Sequence, residues 1–275
     1  MTGPVDRPAP PPLPPVTPDP WTHLAGLTPA RLALGRSGAS LPSREVLKLG
    51  LAHAKARDAV HAAMDGDALA NALAGLGRDT VTVESAAPDR ATYLRRPDFG
   101  RRLSARSRAL LSGAGEGVAS AAGADIAVVV ADGLSASAVD LNAVPLIEAL
   151  LPRFAGRSLA PVVLAHQARV ALGDEVGALL GARLVVMLIG ERPGLSAADS
   201  LGAYLTYGPR VGLTDAARNC VSNIRAAGLG PDAAAAKIAW LVDRAFALSL
   251  TGVALKDGSD AAELPMSEKP RLSGN

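Results

Sequence analysis

From Asp125 onward, apolar residues come in short unbroken runs separated by stretches of helical periodicity. Ile126–Ala131, Pro161–Ala165 and Leu184–Ile189 carry almost no polar residues, the pattern of strands buried on both faces. Between them, Ala138–Leu151 and Val170–Leu180 read as amphipathic helices, the first capped by Ser135 or Ser137 and stopped at Pro152. Ala203–Tyr207 reads as a shorter fourth strand. Asp232–Leu250 is a long Ala-rich helix, and Gly252–Lys256 reads as a last strand. Buried strands alternating with helices predict an α/β domain over 124–256, a doubly wound, mostly parallel sheet of Rossmann-like type.

The pattern before Gly123 differs, and residues 21–123 read as a mainly helical N-terminal region. Thr28 and Pro29 suit the cap and first turn of a short helix within Leu27–Ala39. Pro42 opens a long helix over Leu41–Met64, with Val46, Leu47, Leu49 and Leu51 on its apolar side. Asp67–Leu76 reads as a second helix, Thr80–Glu84 as an alternating strand, and Arg101–Ala122 as a helix despite its glycines. Ala91–Gly100 reads as a loop. Its Tyr93, Arg95, Arg96 and Phe99 suit a protein interface, where Tyr and Arg are enriched. Residues 1–20 are dominated by proline and read as an extended, coreless tail; residues 257–275 read as a polar tail.

Composition narrows the picture. With 275 residues, 49% hydrophobic and 20% charged, the chain can bury a large core. A net charge of +2 and 3% aromatic residues argue against a nucleic-acid partner. No apolar run is long enough to span a membrane, and no secretory signal is visible. Cys220 is the sole cysteine. It rules out an intramolecular disulfide and suits a reducing compartment.

Catalytic signatures are missing: the chain has no G-x-S-x-G elbow, no Walker A loop and no H-E-x-x-H. His53 and His61 are not spaced for a helical zinc site. The glycines of Gly113–Gly117 do not complete a dinucleotide fingerprint and precede a strand instead of following one. Asp132–Ser137, His166–Val170, Gly190–Ser200 and Tyr207–Asn223 are expected to collect at the carboxyl edge of the sheet, where open α/β sheets bind ligands. They are rich in Gly, Ser and Asn and poor in acid–base pairs, which suits a large polar cofactor better than hydrolysis. His166 reads as a hydrogen-bonded structural residue, and Cys220, in a polar turn with no histidine beside it, as a packing or ligand-contact residue.

Seven stretches, in order over most of the chain, resemble the small subunit of ethanolamine ammonia-lyase. They are L-T-P-A-R-L-A-L-G-R-S-G-A-S-L-P-S-R-E (Leu27–Glu45), A-H-A-K-A-R-D-A-V (Ala52–Val60), Y-L-R-R-P-D-F-G-R-R-L (Tyr93–Leu103), V-V-A-D-G-L-S-A-S-A-V (Val129–Val139), A-R-V-A-L-G-D-E-V-G (Ala168–Gly177), I-G-E-R-P-G-L-S (Ile189–Ser196) and R-N-C-V-S-N-I-R (Arg218–Arg225). The resemblance implies an adenosylcobalamin-dependent carbon–nitrogen lyase that converts ethanolamine to acetaldehyde and ammonia. It also implies a TIM-barrel large subunit that hosts the radical chemistry, and assembly as three copies of a dimer of heterodimers. The small subunit of that family completes the cobalamin site, with contact positions matching Val170, Glu191 and Cys220. It implies no catalytic residue and no metal ligand on this chain, because the cofactor keeps its own base on cobalt. Some family members carry an N-terminal helix that targets a microcompartment; Met1–Pro20 is too proline-rich to form one, and plain cytoplasm is expected. Two alternatives from other classes are a stand-alone nucleotide-binding module, for which Asp132–Ser135 offers only one glycine, and a structural assembly subunit.

Overall fold

The computed structural model describes residues 15–28, 30–113 and 123–259. They fall into two compact units, within Met1–Lys55 and Ala56–Asn275.

The first unit is sparse in regular structure. Thr22–Gly26 forms a 3-10 turn. Among the described residues of 27–39 no helix is found where one was expected. Thr17 and Arg36 instead exchange backbone hydrogen bonds of 2.7 and 2.9 Å, which use groups a helix would need. Ala33 and Gly35 adopt left-handed φ values of 53° and 75°, and a Cβ at Gly35 would stand 2.8 Å from the Thr17 carbonyl oxygen. Helix α1, Ser43–His61, begins in this unit and ends in the second. Val46, Leu47 and Leu51 of its expected apolar side are exposed. Of the expected proline-rich tail, 1–14 lie outside the described residues.

The second unit is built on one six-stranded sheet in the order β1-β3-β2-β4-β5-β6. The strands are β1 (Thr80–Glu84), β2 (Ile126–Ala131), β3 (Val162–His166), β4 (Leu184–Gly190), β5 (Leu201–Tyr207) and β6 (Asn219–Ile224). The first four in the order run parallel, and β5 and β6 are antiparallel additions. The fold is therefore mixed α/β with a mostly parallel sheet. Strand β1 belongs to this sheet, which thus draws on residues either side of Gly123.

Side chains alternate between the sheet's two faces. Ile126, Val128, Val130, Leu184, Val186 and Leu188 share one core with helices α2 (Gly66–Gly75), α5 (Ala136–Leu150) and α7 (Pro231–Leu248). Ala127, Val129, Val163, Val185 and Met187 share the other with α4 (Ala105–Leu111) and α6 (Leu172–Leu179). The Ser135 hydroxyl caps α5 by accepting from the Ala138 N–H at 3.2 Å and donates to the Ala198 carbonyl at 2.7 Å. Helix α5 ends at Leu150, just short of Pro152 as expected, and a 3-10 turn over Leu151–Phe154 follows it.

Four sequence expectations are corrected here. Ala91–Gly100 is not all loop: Asp89 accepts from the Thr92 N–H at 2.7 Å and starts helix α3, Arg90–Arg95. This helix buries Tyr93 completely, so Tyr93 is no surface interface residue. The helix expected over Arg101–Ala122 starts only at Ala105, where Ser104 caps it; its 114–122 stretch, with most of the glycine run, lies outside the described residues. Cys220 is not in a turn but on β6, paired with Tyr204. Gly252–Lys256 is a turn, not a strand: Gly252 has φ 88°, its N–H bonds Asn219 Oδ1, and a Cβ there would strike the Ala216 carbonyl.

Candidate functional site: a cleft at the carboxyl ends of β2 and β4

Strand β2 connects through α5 to β3 on one side, and β3 connects through α6 to β4 on the other side of β2. The carboxyl ends of β2 and β4 thus lie where the strand order reverses, the place where open sheets receive ligands. Two glycines let the strand-end loops close on each other. The Leu134 N–H donates to the Gly190 carbonyl at 2.9 Å. Gly133 has a left-handed φ of 54°, and a Cβ on it would strike the Gly190 oxygen; one on Gly190 would strike the Ser135 oxygen.

Asp132 ties this corner to β3. Its carboxylate accepts from the Gln167 N–H at 2.9 Å and the Ala168 N–H at 3.2 Å, with Arg90 Nη1 at 3.5 Å. Burial pushes the Asp132 pKa up, and these donors oppose the shift.

Above the corner opens a cleft of 400 Å³, lined among others by Tyr93, Leu134, Arg169, Val170, Glu191, Arg192 and Tyr204. Val170 is half-buried against the second core. Its N–H has no hydrogen-bond partner among the described residues. Glu191 is held from one side: the Ser200 hydroxyl donates to Oε2 at 2.5 Å, and the Asn223 N–H approaches the same oxygen at 3.4 Å. Oε1 has no hydrogen-bond partner among the described residues. Gly202 makes room for it, since a Cβ there would stand 2.9 Å from Oε1.

The structure thus brings two of the three expected contact residues, Val170 and Glu191, into one cleft wall. Cys220 lies one strand further out, exposed, beside Tyr204 of the lining. Removal from water by its neighbours pushes the Cys220 thiol up; the Tyr204 hydroxyl pulls it down and the Glu191 charge pushes it up again. A thiol held protonated is a contact group, not an activated nucleophile.

The fourth segment expected at this edge does not gather there as a loop. Strand β5 runs antiparallel to β4, so Tyr207 pairs with Leu184 at the opposite end, and only β6 returns with Asn223. His166 lies elsewhere, lining a separate cavity with Glu84 and Ser85. Sequence reasoning missed Tyr93 and Tyr204 as lining residues, and placed Arg169 at this edge only as part of the His166–Val170 segment without singling it out. Tyr204 was detectable in part, as a polar-tipped residue in an apolar strand, but Tyr93 and Arg169 meet only through tertiary packing. Among the described residues no His, Cys, Asp and Glu group could hold a metal ion, and no helix is long and apolar enough to cross a membrane.

A mixed α/β sheet with an open cleft at its point of reversed strand order, lined by hydrogen-bonding groups, places the chain among α/β proteins whose strand-end loops form a surface suited to a ligand. Comparison with known proteins gives the family. The family model "Ethanolamine ammonia-lyase light chain (EutC)" matches residues 18–256. Curated relatives called "Ethanolamine ammonia-lyase small subunit" include one from Ralstonia nicotianae, 55% identical over 258 residues, covering 93% of this chain and 94% of the relative. Others come from Azotobacter vinelandii, 53% identical over 254 residues and covering 91% and 93%, and from Pseudomonas putida KT2440, 52% identical over 262 residues and covering 94% and 96%. The chain belongs to the ethanolamine ammonia-lyase light chain family. The alternatives of a stand-alone nucleotide module or an assembly subunit are not favoured by these relatives.

Proposed function

We propose that this chain is the small, non-autonomous subunit of an adenosylcobalamin-dependent ethanolamine ammonia-lyase and that it forms one wall of the cobalamin site. The observation that carries the reading is the convergence of Val170 and Glu191, far apart in sequence, on one cleft wall with Cys220 on the adjoining strand. The cleft fits one side of such a cofactor in kind. A free carboxylate oxygen on Glu191 suits the carboxamide N–H groups around a corrin ring. A corrinoid is much larger than 400 Å³, so this chain holds one side and a second subunit closes the other.

When bound, the cofactor supplies radical chemistry through its cobalt–carbon bond, and the protein supplies binding, orientation and exclusion of water. Glu191, steadied by Ser200, orients one edge of the cofactor. Val170 gives an apolar wall and a free backbone N–H. The Cys220 thiol packs in its neutral form. None of these moves a proton in the reaction, in keeping with their lack of a paired acid or base. The partner in this reading is a TIM-barrel large subunit that binds ethanolamine, in an assembly of three dimers of heterodimers in the cytoplasm. The doubly wound, Rossmann-like sheet is the cofactor-facing domain.

The test is reconstitution with a large subunit. Ammonia release from ethanolamine is expected only when both subunits and adenosylcobalamin are present, with cobalamin affinity reduced in Glu191→Ala and Val170→Asp. Turnover by this chain alone, or unchanged affinity in both variants, overturns the proposal.

A further inference from the structure

Two arginines stack over the Tyr93 ring, with Arg90 Cζ at 4.7 Å and Arg169 Cζ at 4.2 Å from its centroid. Their circumstances differ. The Arg90 guanidinium is neutralised by Asp132 and donates to the Val60 carbonyl at 2.7 Å, the Gly133 carbonyl at 2.9 Å and Gln167 Oε1 at 3.3 Å. Arg169 has no carboxylate within ion-pairing distance among the described residues. Its side chain makes one long hydrogen bond, from Nη2 to the Tyr93 carbonyl at 3.4 Å, and its buried Nε has no partner. Nη1 has no hydrogen-bond partner there either.

Arg169 is nevertheless held in place. Its N–H bonds the Gly100 carbonyl at 2.8 Å. Gly100 leaves the room this packing needs, since a Cβ there would stand 2.9 Å from both Arg169 Cγ and the Tyr93 ring. A half-buried guanidinium, ordered by an aromatic face and lining a cleft without a counter-charge, is a prepared anion site. Arg192 also lines the cleft but is exposed and lacks such a scaffold. Glu191, which also lines the cleft, is engaged by Ser200 and forms no ion pair with Arg169.

We infer that Arg169 is a further cofactor-anchoring residue and that it binds the phosphodiester of the cofactor's nucleotide loop. This rests on the cobalamin reading above and deepens it. The choice of group follows from charge: the amides of a corrinoid are neutral, and its phosphodiester is the anion that a lone guanidinium would take. Arg169 has then a different task from Glu191, which accepts hydrogen bonds instead of donating them.

The experiment uses the complex reconstituted with a large subunit and two probes, cyanocobalamin, which carries the phosphodiester, and dicyanocobinamide, which lacks it. Binding is read by equilibrium dialysis with visible absorbance. Arg169→Gln is expected to weaken cyanocobalamin by about 10- to 100-fold, the scale of a hydrogen bond to a charged group, while cobinamide affinity stays unchanged. Arg169→Lys, which keeps the charge, should recover part of the loss. Equal losses for both probes would mean that Arg169 only supports Tyr93 and the cleft wall, and would overturn the inference. So would unchanged affinity for both. If the wild-type complex binds neither probe, the cobalamin reading itself fails and this inference falls with it; a wild-type complex that binds both while Arg169→Gln discriminates neither leaves that reading standing and removes only this one.

Discussion

Residues 15–55 and the sheet unit treat apolar side chains in opposite ways. In the first, Leu27, Leu47 and Trp21 are 81%, 72% and 62% exposed. In the second, every residue of β2 and β4 is buried, and the cores on both faces are closed by helices. Both regions are rich in Leu and Ala, so composition does not separate them. What separates them is whether a second layer exists to receive the apolar face. A helix such as α1 has a periodic pattern with only Ala59 buried, whereas α5, set against a sheet, buries eight of its residues. Periodicity thus records a face that can be covered, and only packing covers it.

Substitutions can break this contrast, and the largest effect is expected at the buried ion pair of the sheet unit. Arg218 and Asp174 are 2% and 3% exposed and joined by two hydrogen bonds of 2.8 and 3.1 Å. Burial raises the Asp174 pKa and Arg218 opposes the shift. Arg218→Met leaves a buried carboxylate alone and should cost about 3–5 kcal/mol, measured by urea denaturation of the chain. It should cost less at acid pH: a carboxyl whose folded pKa is raised above its unfolded value favours the folded state below that range and loses this as pH rises through it. A variant whose loss did not shrink at low pH would show that the charge of Asp174 is not the cause.

Leu188→Ala, in the middle of β4, follows at about 2–5 kcal/mol through lost transfer energy and the cavity left behind. At the cleft the expected effect is chemical. Iodoacetamide should alkylate Cys220 in the isolated chain more slowly at pH 8 than a free cysteine, because the raised pKa leaves less thiolate. A rate equal to that of a small thiol would contradict the shift. Leu47→Ser should be the mildest, within about 0.5 kcal/mol of wild type in the isolated chain. A loss as large as that of Leu188→Ala would erase the distinction between the two regions.

Much of the fold was legible because central parallel strands must be apolar on both faces. Strands β2 and β4 were read to within a residue for that reason, the edge strand β1 was read from its alternation instead, and α2 and α5 were read nearly as well. Strand β6 was not legible: of N-C-V-S-N-I, only Val221 and Ile224 are buried, so as an edge strand it reads like a polar turn. The false strand at Gly252–Lys256 and the false helix within Leu27–Ala39 fail for a shared reason. Local propensity was adequate in both, but left-handed residues and backbone pairing with distant segments took the hydrogen bonds elsewhere. Helix α3 was missed although its Asp89 cap stood in the sequence, because Arg and Pro around it read as loop.

For the site, the sequence by itself determined the residue types and the family they belong to. The glycines, the carboxylate at the end of β4 and the single thiol are chemical choices written into the chain, and a resemblance spread over many short stretches depends on identity, not on contact. Tertiary structure alone decided which of them meet. Reversal of strand order at β2 brought Val170 and Glu191 to the lining of one cleft, and antiparallel pairing carried Cys220 to Tyr204. Packing also put Tyr93 under Arg169, leaving a guanidinium without a counter-ion in the cleft wall. These distances depend on crossovers between segments tens of residues apart, and the local hydrophobic period carries no record of them.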